Sequence, residues 1–477
     1  MRRGDRRRTG RSALEAFTRA LEAERPRWLV PVVLAVPFLV VIAAARGLTV
    51  TVPTFHGGDE TVYHYPTIVR FAHQWPGIDL VHYPAAQTPL LHVVMATLSQ
   101  LVGLEVWRLR LLDALISYGA ALVLYRMLRR RRRLEPPAAL ALTSLVVISP
   151  YVFAESFLLL TDNAALGLII VTLDQLERFR ERPRVVPFAL AALAACAAVL
   201  TRQSAGFVFV VVCGYLLLSW RAIDWPARLV SLGLPVLAAL PMALLALAWG
   251  GFVPIGADTS SCGLCATAAG RVDQAGAGLF LRSVSFTLAV VGVYAIVLFA
   301  PALVAGMRRR APGGALGAVV GRPLVRARLR LALRLAAAGA AVAVVLLVVE
   351  PLRGHVGDAG WLWRVADHAP VLLGNAGVFW ILVPVGAAAL VVRWRAAPRD
   401  WLGPLFLGAL LLVALSTRLG YQKYYDPYAL LALVLTVRPR ELGRWNYLGI
   451  AVLMIGSIAY ALSFVVGLNH AVTAPGR

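Results

Sequence analysis

Apolar runs of about 20 residues recur along the whole chain, and each can cross a hydrocarbon core roughly 30 Å thick as a helix. Hydrophobic residues fill 60% of the 477 positions, charged residues only 15%, and the mean hydropathy is +0.74. A soluble domain is less apolar and more highly charged than this. A membrane β-barrel would alternate apolar and polar residues within each strand. The sequence therefore predicts an all-α polytopic membrane protein.

The alternation of apolar runs and arginine-rich connections predicts about thirteen transmembrane helices, one of them at 137–154. Residues 1–27 form a basic segment before the first span, which predicts a cytoplasmic N-terminus. The short apolar piece Pro89–Leu101 is predicted to be a helix at the outer interface, because counting it as a span would place the arginines at 129–133 outside. This topology puts the arginine-rich connections inside and all eight histidines outside or at the outer interface.

The chain is predicted to form a front and a back membrane module. The front module covers residues 28–306 and includes a first outer loop at 48–107, and the back module covers 331–477. A cytoplasmic linker rich in arginine and glycine lies between them at 307–330. The formal net charge of +23 does not indicate nucleic-acid binding, because the arginines lie between apolar spans, where the positive-inside rule accounts for them.

The first outer loop carries the adjacent carboxylates Asp59 and Glu60, directly after two glycines. A carboxylate near the membrane surface can deprotonate an attacking hydroxyl as a general base, so both residues are predicted to be catalytic. His64 and Tyr83 follow in the same loop and are predicted to bind substrate, because their rings suit sugars or lipid headgroups. The alternative interpretation is a solvated acidic loop with interfacial aromatic residues.

Two further positions break apolar runs on the predicted outer side. Asp162 begins a span, so it is predicted to be functional, although an aspartate there is also a good helix N-cap. Arg202 lies on the side where the positive-inside rule gives no reason for a cation, and a guanidinium suits a phosphate. Arg202 and Gln203 are therefore predicted to bind substrate, with a snorkelling arginine as the alternative.

A late outer loop is dense in polar and aromatic residues, and it contributes Arg418, Lys423 and Tyr424 as predicted substrate-binding residues. Lys423 is the only lysine among the 47 basic residues. Either the site needs a compact ammonium group there, or the lysine is a chance survivor in an arginine-biased sequence.

The remaining motifs do not indicate a cofactor. The sequence contains no phosphate-binding loop, dinucleotide fingerprint or zincin motif, so no cofactor is predicted. Cys262 and Cys265 predict a local disulfide, since no second pair completes a zinc site. Cys196 and Cys213 are predicted to be buried as small apolar residues. His355, Asp358, Asp367 and His368 lack a fixed ligand spacing, so no metal site is predicted, and a divalent metal has no support.

The order of these features resembles the GT-C glycosyltransferases, which take a sugar from a polyprenyl- or dolichyl-phosphate carrier on the non-cytoplasmic face. The shared features are an acidic pair after the first span, an interfacial helix after Thr88-Pro89, and a second acidic position at Asp162. Within the front half, Asp59-Glu60, His64 and Arg202-Gln203 look like the dolichyl-phosphate-glucose α-1,2-glucosyltransferases, although the histidine lies one residue later here.

The resemblance implies a GT-C-like fold and an inverting hexosyltransferase of the inner (plasma) membrane, active on the outer face. Its donor would be a polyprenyl-phosphate-linked sugar, and its acceptor a glycan, a lipid or a protein. Asp59 would be the base, and Arg202, Arg418 or Lys423 would stabilise the leaving phosphate. Asp162 would position the acceptor or hold Arg202. The alternatives are a transporter or flippase, and a ligase or polymerase, for lipid-linked glycans.

Overall fold

The structure is a computed structural model that describes residues 29–45, 59–156, 158–255, 257, 279–308, 323–352, 360–396, 400–416, 422–439 and 441–473. The helices of the front half are α1 Leu29–Ala45, α2 Tyr65–Gln74, α3 Leu90–Val102, α4 Val106–Arg130, α5 Pro136–Val147, α6 Pro150–Glu155, α7 Thr161–Glu181, α8 Val185–Thr201, α9 Phe207–Ser219 and α10 Trp225–Trp249. Those of the back half are α11 Leu281–Arg308, α12 Pro323–Val349, α13 Trp361–Asp367, α14 Phe379–Ala396, α15 Leu402–Ser416, α16 Asp426–Thr436 and α17 Arg444–Thr473. Two short antiparallel strands, β1 Val371–Leu372 and β2 Asn375–Ala376, precede α14.

The predicted all-α, multi-pass architecture is confirmed. Six helical segments in the described part of the chain are long and apolar enough to cross a membrane: Val106–Arg130, Gln203–Ala222, Trp225–Trp249, Leu281–Pro301, Arg330–Val349 and Arg444–Leu462. Shorter apolar helices accompany them, among them α3 with 13 residues. At 1.5 Å per residue α3 is about 20 Å long, which is too short to span a bilayer. The count of thirteen spans stays a prediction.

Two local expectations are wrong. The predicted span at 137–154 is two helices, because α5 ends at Val147 and α6 begins at Pro150. Proline lacks the N–H that would continue the hydrogen-bond ladder and its ring clashes with the preceding turn, so the run is broken there. Cys213, expected to be buried like Cys196, is exposed on α9, while Cys196 is buried.

The outward faces of two long helices are apolar. On α10, Val236 and Leu247 are 71% and 78% exposed, and on α12, Val342 and Val349 are similarly uncovered. Faces of this kind are stable against lipid chains and unfavourable in water. They agree with helices on the lipid-facing side of a membrane bundle.

The main apolar cluster of the described interior draws on both halves of the chain, from Leu124 in α4 to Ile450 in α17. Helix α16 lies at its centre, with every residue from Asp426 to Leu435 buried. The two predicted modules thus share a core, and their division stays a prediction. Much of the predicted linker at 307–330 lies outside the described residues.

Helices α11 and α14 cross in backbone contact. A Cβ added at Gly292 would collide with the carbonyl of Leu382, and one added at Gly386 would collide with the carbonyl of Leu288. Small residues at a membrane helix crossing allow this close approach, which maximises van der Waals contact. The crossing fixes α11, from which Tyr294 reaches the start of α16.

Candidate active site

The adjacent carboxylates Asp59 and Glu60 have opposite surroundings. Glu60 opens a π-helical turn, Glu60–His64, that leads into α2, and it is 1% exposed. Arg110 in α4 binds both Glu60 oxygens in a fork, with Nε at 2.9 Å from Oε1, and the backbone N–H of Leu159 donates to Oε1 at 2.9 Å. The Asp59 side chain is 38% exposed, and Lys423 Nζ lies 3.4 Å from its Oδ2. Of the two carboxylates, Asp59 is the one within reach of solvent and ligand.

Asp162 and Arg202 form a buried ion pair. Arg202 follows the end of α8, and its Nη1 donates to Asp162 Oδ2 at 2.7 Å and to Thr161 Oγ1 at 2.9 Å. Asp162 lies inside the first turn of α7, whose N-cap is Leu160, so the alternative that Asp162 caps the helix is wrong. Arg202 is only 6% exposed, so the alternative of a snorkelling arginine is also wrong.

Lys423 and Arg202 meet at one aromatic ring. The Tyr424 ring centroid lies 5.1 Å from Arg202 Cζ and 5.5 Å from Lys423 Nζ, within the range of cation–π contacts. Burial works against the charge of both groups, but neighbouring acidic groups, including Asp162, outweigh it and raise the pKa of both Arg202 and Lys423. Two positive charges therefore contact the same aromatic ring, and that of Lys423 lies next to Asp59.

Glu155, at the end of α6, completes the group. It is 3% exposed, and its Oε1 has no hydrogen-bond partner among the described residues. Burial raises the pKa of Glu155 well above its ordinary value, Asp162 raises it further, and Lys423 and Arg202 act against the shift. The residues Asp59, Glu155, Asp162, Arg202 and Lys423 are called the charge cluster below.

Sequence reasoning missed three of the buried polar residues around this cluster. Glu155 and Asp113 are acidic residues within or beside apolar runs, which is the signal that marks functional positions in membrane helices. In the described part of the chain, neither buried Asp113 carboxylate oxygen has a hydrogen-bond partner, one turn of α4 beyond Arg110. Arg110, the partner of Glu60, had no distinguishing signal among so many arginines.

Three residues predicted to bind substrate have hydrogen-bond partners within the protein. His64 Nδ1 lies 2.8 Å from His92 Nε2, and burial, followed by the charges of Arg202 and Lys423, lowers the pKa of His64 to about 3. The buried Tyr83 hydroxyl donates to the carbonyl of Gln87 at 2.8 Å. Gln203 Nε2 donates to the carbonyl of Ala86 at 2.7 Å.

The Gln203 contact holds the loop before α3 next to Arg202. The His64 contact holds the turn that follows Asp59 against α3. The substrate-binding roles of His64, Tyr83 and Gln203 stay predictions. Arg418 lies outside the described residues, as do Cys262, Cys265, His355 and Asp358. Within the described ranges, no three His, Cys, Asp or Glu residues are grouped as metal ligands would be.

The arrangement supports two kinds of chemistry in one place. A guanidinium and an ammonium side by side suit an anionic group such as a phosphate. An exposed carboxylate beside them suits proton transfer from a hydroxyl. Fold and site together define a polytopic helical membrane protein with a charged site built from loop and helix-end residues.

A family comparison matches part of the front half of the chain. Residues 86–249 match the family of dolichyl-phosphate-mannose-protein mannosyltransferases. The matched segment includes Glu155, Asp162 and Arg202, and Asp59 and Lys423 lie outside it. The match covers about a third of the chain and agrees with the resemblance of the sequence to the GT-C-type membrane glycosyltransferases.

Solved structures give a weaker likeness. The crystal structure of ArnT from Cupriavidus metallidurans bound to undecaprenyl phosphate aligns over 92% of this chain and 78% of that one, with 15% identity and a TM-score of 0.38. The apo structure of the same protein aligns over 89% and 76%, with 13% identity and a TM-score of 0.36. No curated protein sequence matches the chain significantly.

Proposed function

We propose that this protein transfers a hexose from a polyprenyl-phosphate carrier to an acceptor hydroxyl on the non-cytoplasmic face of the membrane, with inversion at the anomeric carbon. The observation that carries the proposal is the contact between Asp59 and Lys423, at 3.4 Å, beside Arg202. It places a partly exposed carboxylate against one buried cation, and a second buried cation contacts the same Tyr424 ring as the first. A transferase that uses a phosphate leaving group needs both.

In the proposed reaction Asp59 takes the proton of the acceptor hydroxyl as its oxygen attacks the anomeric carbon. The bond between that carbon and the carrier phosphate breaks, and the electron pair leaves with the phosphate oxygen. Lys423 and Arg202 stabilise the negative charge that develops there. Attack from the face opposite the leaving group inverts the anomeric centre.

The other acidic residues have supporting roles in this proposal. Glu60 has both oxygens held by Arg110, so it positions the turn that presents Asp59. Asp162 holds Arg202 by their 2.7 Å ion pair. Glu155, buried next to both cations, is the group that a phosphate or sugar hydroxyl would meet at the back of the site.

The proposed topology follows from the positive-inside rule. The charge cluster lies on the non-cytoplasmic face, and the N-terminus on the cytoplasmic side. The front module, with its loop at 48–107, contributes Asp59 and Arg202. The back module contributes Lys423 and Tyr424, so the site lies between the two.

The test uses purified full-length protein in detergent with a panel of radiolabelled polyprenyl-phosphate sugars and acceptors, following the release of bare carrier phosphate. Asp59→Asn keeps the shape and removes the base, so turnover should fall by about 100-fold or more while donor binding survives. Glu105→Gln, an exposed carboxylate at the start of α4, is the matched control and should keep full activity.

Near wild-type turnover of Asp59→Asn would remove Asp59 as the base. Binding of the donor without release of carrier phosphate, combined with its movement across a reconstituted bilayer, would favour the transporter alternative. Release of carrier phosphate with formation of a polymer would favour the ligase or polymerase alternative.

A further inference from the structure

A directed chain of buried hydrogen bonds lies directly behind Lys423. Gln422 and Asp426 are both fully buried. Gln422 Nε2 donates to Asp426 Oδ2 at 2.8 Å, and the Tyr294 hydroxyl of α11 donates to Asp426 Oδ1 at 2.5 Å. The backbone N–H of Leu362 in α13 donates to Gln422 Oε1 at 2.8 Å. The neighbour of Lys423 in the chain is therefore held from two sides.

A second branch of this hydrogen-bond chain reaches α6. The backbone N–H of Trp361 donates to the Tyr151 hydroxyl at 3.1 Å, and Tyr151 lies one turn before Glu155. Gly360 has φ +140°, and a Cβ there would collide with the Tyr151 hydroxyl and with Gln422. The start of α13 is thus inserted tightly between α6 and the turn at 422–424. The chain of contacts links the segments that carry Glu155 and Lys423.

A purely structural role does not account for Asp426, because its burial lowers the stability of the fold. Among the described residues no Lys, Arg or His forms an ion pair with it, so its charge is met by neutral donors, chiefly an amide and a phenol. A buried carboxylate without a cation is unfavourable, and apolar packing is commonly as stable or more so. What the carboxylate contributes is direction, because it accepts hydrogen bonds at both oxygens and forces the Gln422 amide into one orientation.

We propose that Gln422 and Asp426 are positioning residues that set the place of the Lys423 ammonium beside Asp59. Because the Gln422 amide is held in one orientation, the turn at 422–424 is held as well, and with it the side chain of Lys423. The rigid base for this is α16, whose first ten residues are all buried. This inference rests on the proposed function, in which Lys423 binds the carrier phosphate.

The test first disrupts the hydrogen bond between Gln422 and Asp426, and then re-forms it with donor and acceptor exchanged. Gln422→Glu places two carboxylates 2.8 Å apart and should displace the turn. The double variant Q422E/D426N keeps the wild-type net charge and re-forms each bond, because the new amide at position 426 donates to the new carboxylate at position 422, which still accepts from Leu362. The ligand is bare undecaprenyl phosphate, with the dissociation constant measured in detergent for each variant.

We expect Lys423→Met and Gln422→Glu each to weaken binding by about 10-fold, since each loses a charge-assisted contact. The double variant Q422E/D426N should return to within about 2-fold of wild type. In a Lys423→Met background, Gln422→Glu should change nothing further, because the group through which it acts is absent.

An equal loss from Gln422→Glu with and without Lys423, at an unchanged melting temperature, would overturn the inference and leave the proposed function intact. Failure of the double variant to recover binding while it stays folded would do the same. A Lys423→Met variant that binds undecaprenyl phosphate as well as wild type would instead contradict the phosphate role in the proposed function. If Gln422→Glu does not fold, Tyr294→Phe in both backgrounds replaces it, and the same comparison decides.

Discussion

The two ends of α7 bring buried arginines and carboxylates together in different ways. At its C-terminal end Arg132 binds Glu177 at 2.6 Å and also Asp400, while Arg180 binds Glu177 at 2.6 Å. This arginine network consists of four arginines and four acids: Arg131, Arg132, Arg178, Arg180, Asp174, Glu177, Glu181 and Asp400. Its charges are shared among close ion pairs.

At the N-terminal end, the charge cluster is less complete. Asp162 binds Arg202 closely, but Lys423 lies at a longer 3.4 Å from Asp59, and no described residue hydrogen-bonds Glu155 Oε1. Each of the eight residues of the arginine network has an ion-pair partner, and such a network stabilises the fold. A carboxylate with no ion-pair partner among the described residues, such as Glu155, is available to a ligand. The difference between the two ends therefore separates a structural element from a site.

The largest expected effect is the difference in cysteine labelling between the two ends of α7. Each end should lie on one side of the membrane, so a cysteine there is either labelled from outside or not. In a variant without native cysteines, His82→Cys in the predicted first outer loop should react with a membrane-impermeant maleimide in intact cells. Arg133→Cys near the arginine network should react only after the membrane is opened. The reverse pattern would invert the proposed topology and move the site to the cytoplasmic face.

Arg132→Met should lower the free energy of unfolding by about 3–5 kcal/mol, because it leaves the buried Glu177 with less compensation. Donor binding by the folded fraction should not change. The matched control is Glu181→Gln, whose side chain is 38% exposed, and it should cost about 1 kcal/mol or less. Melting temperature and donor binding are measured on the same samples. A loss of donor affinity in Arg132→Met would mean that the two ends of α7 are coupled.

Arg202→Ala should weaken donor binding by about 10- to 100-fold, the effect of losing one charge-assisted phosphate contact. Arg202→Lys should restore it only in part, because the fork geometry is lost. Arg108→Ala, an arginine 40% exposed and paired with Glu105, is the control. A purely structural Arg202 would lower the melting temperature and leave donor affinity unchanged.

The smallest effect concerns pH. Burial raises the pKa of Glu155 above the ordinary value of 4.5, so above pH 4.5 the unfolded chain releases a proton that the folded protein keeps. Stability should therefore fall as the pH rises toward the folded pKa, by up to about 1.4 kcal/mol per pH unit. Glu155→Gln should flatten this decline in melting temperature, and Glu105→Gln should not. An unchanged slope in Glu155→Gln would show that other groups cause the decline.

The sequence predicted the helical membrane fold because hydropathy and arginine placement are local signals. It also offered the pairing of Asp162 with Arg202 as one possibility, and the structure contains that ion pair. Both residues interrupt apolar runs, so they could be recognised in the sequence as candidate site residues.

The contacts that depend on packing could not be predicted. Asp59 and Lys423 lie at opposite ends of the chain, and no periodicity relates them. The fork between Glu60 and Arg110 separates two adjacent acids that look equivalent in sequence. The break at Pro150 was missed because the apolar run continues through it. Each of these depends on which helix ends meet in space.

The solvent access of Asp59 has a consequence for the turnover cycle. Its side chain is 38% exposed, while Glu60 beside it is sealed by Arg110. In the proposed mechanism, a proton taken from the acceptor by Asp59 would pass directly to water, without a relay of titratable side chains through the bundle. No charge would then cross the membrane in a cycle, so turnover should not depend on the membrane potential.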